Sequence, residues 1–139
     1  MHKITSTLLI DDDSTTNFVN RILLEKLEVT DAVFVARNGQ EALQLIQTLC
    51  EEGNCPQLIL LDINMPVMNG FDFLEAFNQL EFEQKESIVI VMLTTSLHPR
   101  DVEPLQEMPI HSYLNKPLTK EKVHGLLRTH FNFEFPVLE

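Results

Sequence analysis

A chain of 139 residues with 44% apolar and 22% charged side chains can bury a sizeable single core and is too apolar for general disorder. Ten Lys and Arg against 21 Asp and Glu leave a net charge of −11, spread over both halves: four basic and ten acidic residues in 1–70, six and eleven in 71–139. That balance argues against binding nucleic acid, which rests on cations meeting phosphates, and no apolar run nears the roughly 20 residues of a membrane span.

In chain order, Thr7 to Ile10 reads as a first buried strand. Ser14 can open a helix whose apolar stripe is Phe18, Val19, Ile22, Leu23 and Leu27. Ala32 to Val35 is a second strand. Asn38 followed by Glu41 resembles a capping box and opens a helix carrying Ala42, Leu43, Ile46 and Leu49. Leu58 to Leu61 is the third strand, and Phe73, Leu74 and Phe77 mark the third helix. Ile88 to Leu93 is the fourth strand, with Pro99 favouring a helix start soon after it. Ser112 to Leu114 is the fifth, and Thr119 caps a last helix bearing Val123, Leu126 and Leu127. Five strand–helix alternations make an α/β domain over 1–131, an open parallel sheet with helices on both faces, followed by a short tail over 132–139.

Met1-His2-Lys3-Ile4 lacks the apolar stretch of a signal peptide, so the cytoplasm is the expected compartment. Cys50 and Cys55 are too few for a disulfide scaffold, and no His cluster completes a zinc site; they read as structural or incidental thiols, with a regulatory disulfide as the lesser option.

Ligands of open parallel sheets bind at the carboxyl ends of the strands. The first strand is followed by Asp11, Asp12 and Asp13, the third by Asp62, the fourth by Thr94, Thr95 and Ser96, and the fifth by Asn115, Lys116 and Pro117. Carboxylates converging on one edge repel, and a hard divalent cation such as Mg²⁺ relieves that repulsion. A carboxylate beside such an ion can attack phosphorus, with Lys116 and Thr94 holding phosphoryl oxygens. Singly these residues say little. Asp13 in particular reads as a helix cap. The set, in this order on these strand ends, points to phosphoryl transfer onto an aspartate.

With those blocks in place, the sequence resembles a response-regulator receiver domain of two-component signalling. The resemblance covers about residues 5 to 130. It is carried by Leu9-Ile10-Asp11-Asp12-Asp13, by Leu60-Leu61-Asp62-Ile63-Asn64-Met65-Pro66-Val67-Met68-Asn69-Gly70, by Val91-Met92-Leu93-Thr94 and by Tyr113-Leu114-Asn115-Lys116-Pro117. It implies a flavodoxin-like, doubly wound sheet of five strands in the order 2-1-3-4-5 flanked by five helices. Asp62 matches the phospho-accepting residue. Asp11, Asp12 and Asp62, with the backbone carbonyl of Asn64, match the Mg²⁺ site. Thr94 and Lys116 match the switch hydroxyl and the phosphate-contacting lysine, Tyr113 the switch aromatic, and Lys116-Pro117 a cis peptide. The implied partners are a sensor histidine kinase or histidine phosphotransfer protein as donor and a downstream protein as output, with a phosphorylation-dependent homodimer as a family option.

Departures are visible. Thr95 stands where the family is usually small, and is expected to narrow access to the phosphoryl group. Asn64 and Ser96, at positions that tune phosphoryl lifetime, are not acidic. Pro104 falls inside the expected fourth helix, where proline removes a donor and clashes with the preceding turn, so that helix should be short, displaced or kinked. Met108-Pro109-Ile110-His111 replaces the usual small residues before the fifth strand. A stand-alone receiver is the expected organisation. Its rivals are a constitutive receiver-like binding module, an aspartyl phosphatase and a transcription factor. Asp62 and Lys116 speak against the first, the position of the acceptor after the third strand against the second, and the net charge against the third, as does the absence of room for a second domain within these 139 residues unless they are a fragment of a longer protein.

Overall fold

The computed structural model describes residues 3–63, 70–80, 87–94 and 110–133. In chain order the elements are β1 (Ile4–Ile10), α1 (Ser14–Leu27), β2 (Thr30–Ala36), α2 (Gly39–Glu51), β3 (Leu58–Asp62), α3 (Gly70–Gln79), β4 (Val89–Thr94), β5 (Ser112–Asn115) and α4 (Lys120–Phe131). All strand pairs are parallel and the sheet order is β2-β1-β3-β4-β5, as the resemblance implies. Four helices lie among the described residues. The expected helix after Pro99, with its Pro104 irregularity, lies outside them, as do Asn64, Thr95, Ser96 and Met108-Pro109.

The strands look continuously apolar because both faces are covered. Leu8, Ile10, Ile59, Leu61, Ile90 and Met92 point to one side and meet Ala42 and Ile46 of α2 and Phe73, Leu74 and Phe77 of α3. Leu9, Leu58, Leu60, Val91 and Leu93 point to the other and meet Leu24 of α1 and Val123, Leu126 and Leu127 of α4. Period-two alternation is thus hidden inside each apolar run. It fixes register, since a slip by one residue would exchange the two cores. The register pairs Ile10 with Leu61, Asp62 with Leu93, and Thr94 with Asn115. The carboxyl-terminal ends of β1, β3, β4 and β5 therefore share one edge.

Local chemistry sets the helix starts. Asp13 caps α1: its carboxylate accepts from Thr15 N at 2.9 Å and Thr16 Oγ1 at 3.0 Å, bonds that hold its pKa below the usual carboxylate value. Ser14 is the first helical residue rather than the cap. Asn38 Oδ1 accepts from Glu41 N at 2.8 Å, while Glu41 accepts from Arg37 N at 3.2 Å, so the capping box closes one residue earlier than expected. Thr119 Oγ1 accepts from Lys122 N at 3.3 Å.

Two expectations change. The stripe on α1 does not face the sheet as one unit: Phe18, Val19 and Ile22 are 63%, 55% and 42% exposed. The buried face is Asn17, Asn20 and Leu24, with Leu23 and Leu27 packed beside it. The Asp13 cap sets where the helix starts, and the Asn17 amide, donating to Asp11 O at 2.8 Å, sets its rotation. The second change is that Cys50 and Cys55 are joined as a disulfide across the α2–β3 connection, rather than standing as separate thiols.

Two glycines give opposite expectations. A Cβ at Gly70 would lie 2.8 Å from the Asp62 carbonyl oxygen and 3.0 Å from Ile63 Cα, backbone that has little room to retreat. At Gly125, inside α4, a Cβ meets nothing within 4 Å. Gly70→Ala should lower the unfolding free energy by about 1–3 kcal/mol, the usual cost of overpacking. Gly125→Ala should raise it by up to about 1 kcal/mol. Urea titration of both variants checks the pair; equal midpoints would refute the close approach at Gly70.

Candidate functional site

Asp11 leaves the end of β1 and Asp62 is the last residue of β3. The pairing of Ile10 with Leu61 sets them side by side. Both are buried, at 4% and 5% exposure, whereas Asp12 is exposed. One carboxylate oxygen from each of Asp11, Asp12 and Asp62 lies within 4.8 Å of the others. Lys116, just past β5, reaches across the edge of the sheet. Its Nζ donates to Asp11 Oδ2 at 2.9 Å and to Asp62 Oδ1 at 3.1 Å. Burial disfavours the ammonium, but the hydrogen bonds and attraction of Asp11 and Asp62 outweigh it, so its pKa is raised above the ordinary lysine value.

The backbone holds these groups in place. Asp11 Oδ1 accepts from Asp13 N at 2.9 Å, and the Asp11 carbonyl accepts from Asn17 Nδ2 at 2.8 Å. Lys116 N donates to Thr94 O at 2.7 Å, tying the ends of β4 and β5, and the Lys116–Pro117 peptide is cis. Thr94 is buried at the end of β4, one residue beyond the partner of Asp62. Tyr113 pairs with Met92 and is half-buried, packed against the core on the α2–α3 side. Asp11, Asp12, Asp62, Lys116 and Thr94 thus gather at one edge. Asp13 serves as a cap, and Asn64 lies outside the described residues.

Chemically, three carboxylates face one ammonium. The excess negative charge and all-oxygen donor set of Asp11, Asp12 and Asp62 fit a hard divalent cation. No helix among the described residues is long and apolar enough to cross a membrane.

Two features escaped the sequence reading. Asn17 is 3% exposed, and its amide fixes the Asp11 backbone. Its signal is the spacing of Asn17, Asn20, Leu24 and Leu27, a helical face that apolarity alone does not select. The second is a groove of about 210 Å³ lined by Thr15, Thr16, Val19, Asn20, Lys116, Pro117 and Leu118. Val19 connects it to the exposed apolar face of α1 and Lys116 to the carboxylates.

The family model of the response regulator receiver domain matches residues 7–128. The chain is 30% identical over 122 residues to two-component response regulator 24 of Arabidopsis thaliana, covering 88% of this chain and 81% of that protein. It is 32% identical over 120 residues to a probable C4-dicarboxylate response regulator, DctR, of Halalkalibacterium halodurans. That match covers 86% of this chain but only 48% of the relative, so the chain spans about half its length. Among solved structures, a two-component response regulator from Cytophaga hutchinsonii superposes with a TM-score of 0.86 at 31% identity, covering 95% of this chain and 100% of that one. The chain belongs to the response regulator receiver family, the phosphorylation-based signalling modules of two-component systems.

Lys116→Met would leave Asp11 and Asp62 as buried carboxylates without their cation. Breaking a buried pair from one side costs about 3 kcal/mol or more. Urea unfolding at neutral pH in the presence of a chelator should show a loss of that order; an unchanged midpoint would mean that the pair is not both charged and buried.

Proposed function

We propose that this receiver takes a phosphoryl group onto Asp62 from a phosphohistidine of a sensor histidine kinase or histidine phosphotransfer protein. The observation that carries the reading is the Lys116 ammonium bridging Asp11 and Asp62 where the ends of β1, β3 and β5 meet. Asp62 supplies the nucleophilic oxygen: its new O–P bond forms as the donor's N–P bond breaks, and the imidazole leaves with the electron pair. Lys116 exchanges its contact with Asp62 for a phosphoryl oxygen and offsets charge there. Mg²⁺ would be held by Asp11, Asp12 and Asp62 with the Asn64 carbonyl; when bound it supplies Lewis-acid stabilisation of phosphoryl oxygens. Thr94 then moves toward the dianion and Tyr113 turns inward, shifting a pre-existing equilibrium on the surface near β5 and α4 that a downstream protein reads. Receivers are signalling modules rather than classical enzymes; the chemistry proposed for this one is limited to its own phosphorylation and dephosphorylation.

The exposed face of α1 supports a docking place for the donor. Phe18, Val19 and Ile22 form an apolar patch continuous with the groove that ends at Lys116. A helical donor surface covering that patch would hold its phosphohistidine over Asp62.

Incubation with acetyl phosphate, read by intact-mass spectrometry, tests the chemistry. One labile phosphoryl adduct is expected, absent without Mg²⁺ and absent in Asp62→Asn. A folded protein that takes no phosphoryl group from either acetyl phosphate or a phosphohistidine donor would instead be a constitutive binding module. Docking separates from chemistry in the double variant Phe18→Asp, Ile22→Asp. Transfer from a phosphorylated phosphotransfer domain should slow by about tenfold or more, as expected when buried apolar anchors are lost, while uptake from acetyl phosphate stays unchanged. Equal slowing of both would sink the docking assignment.

A further inference from the structure

We propose that Cys50 and Cys55 form a reversible thiol–disulfide couple, a redox-modification site at the junction of α2 and β3 that exchanges with small thiols and disulfides such as glutathione. The two residues are joined in the structure, with Cα atoms 4.2 Å apart. What brings them together does not depend on the sulfurs. The last turn of α2 closes by hydrogen bonds from Glu52 N to Thr48 O at 3.1 Å, Gly53 N to Cys50 O at 3.1 Å and Asn54 N to Leu49 O at 2.7 Å. This is the double-bonded termination that needs a left-handed residue, and Gly53 supplies it at φ 81°. Cys55 is fixed from the other side. Its carbonyl accepts from Ser6 Oγ at 3.2 Å, and Gln57 N donates to Ser6 O at 3.0 Å, which docks the segment on β1.

The fold therefore holds two thiols adjacent whether or not they are bonded, and gives them a high effective concentration toward each other. Both residues are half-buried rather than sealed inside the core, with Cys50 packed at the rim of the α2–α3 layer. They lie before β3, whereas Asp62 ends it; the couple sits at the opposite edge of the sheet from the carboxylates.

The exchange balances without an external metal. A glutathione thiolate attacks one sulfur of the cross-link, releasing the other as a thiolate. A second glutathione then resolves the mixed disulfide, leaving two protein thiols and one glutathione disulfide, with two electrons and two protons transferred to the protein. In reverse, glutathione disulfide is the oxidant, and the neighbouring cysteine expels glutathione from the first adduct. Reduction leaves the turn at Gly53 and Asn54 held by hydrogen bonds alone.

The test equilibrates the full chain in graded mixtures of reduced and oxidised glutathione, quenches with acid, labels free thiols with a maleimide and reads intact mass. Both thiols should disappear together, with an equilibrium constant at least about tenfold larger in the folded chain than in urea, reflecting the prearranged geometry. Cys55→Ser, and independently Cys50→Ser, should each retain a glutathione adduct that the native chain expels. Amide exchange at Gly53 and Asn54 should accelerate at least about threefold on reduction, as a local opening becomes easier. Thiols that titrate independently, equal constants in folded and unfolded chain, or unchanged exchange at those amides would each overturn the proposal.

Discussion

One ammonium between two buried carboxylates constrains this molecule more than any other contact. Lys116 lies 3.1 Å from Asp62 and 2.9 Å from Asp11. At an effective dielectric of about 20, each attraction is worth about 5 kcal/mol. Removing such ions from water costs several kcal/mol apiece, so the net gain in stability is small. What the triad demands is geometry. β1, β3 and β5 must end level, and β4 must hold β5 in register through Thr94 and Asn115. The two apolar layers enforce that register, because a slipped strand would turn its core residues outward.

The same arithmetic leaves the site incomplete. Asp11, Asp12 and Asp62 carry three negative charges and Lys116 one positive, a balance of −2 if all are ionised. Local repulsion of this kind opposes folding. The chain tolerates it because the edge rests on well-covered strands, with β3 and β4 buried along their whole length. A divalent cation and a phosphoryl group are ligands of opposite charge that such an edge can hold together. Under the proposed function, the charge imbalance is the reason the site responds to them.

Much of this was legible in the sequence. Apolar runs gave the strands, and the position of each acidic or basic residue just past a run gave the edge. Asp11 and Asp13 differ by only two positions, yet one lies in the site and the other caps α1, as their order after the strand suggests. The rotation of α1 was not legible. Summed apolarity favours Phe18, Val19 and Ile22 as the inner face, but the Asp13 cap and the Asn17 amide turn Asn17, Asn20 and Leu24 inward instead. The inward amide pairs the buried Asp11 carbonyl, which apolar side chains at that position could not do. The cysteine pairing was legible only as the lesser option. It depends on a left-handed turn, and Gly53, two residues before Cys55, was the residue that marked it.

The segment after β5 links the site to the far helix. Lys116 carries the ammonium, Pro117 and Leu118 line the groove, and Thr119 caps α4. From the first turn of α4, Lys122 Nζ donates to Asn115 O at 2.6 Å and to Pro117 O at 2.8 Å. The carbonyls on either side of Lys116 are thus fastened to α4 by one side chain. A displacement of Lys116 toward a phosphoryl oxygen must either move this short segment with the start of α4 or be absorbed by the lysine's own flexible stem. Packed interfaces favour discrete arrangements over gradual deformation, and Leu118, Val123, Leu126 and Leu127 are buried in the same core. Where the segment moves, the brace carries that movement to the start of α4 by a route that does not pass through Thr94 or Tyr113.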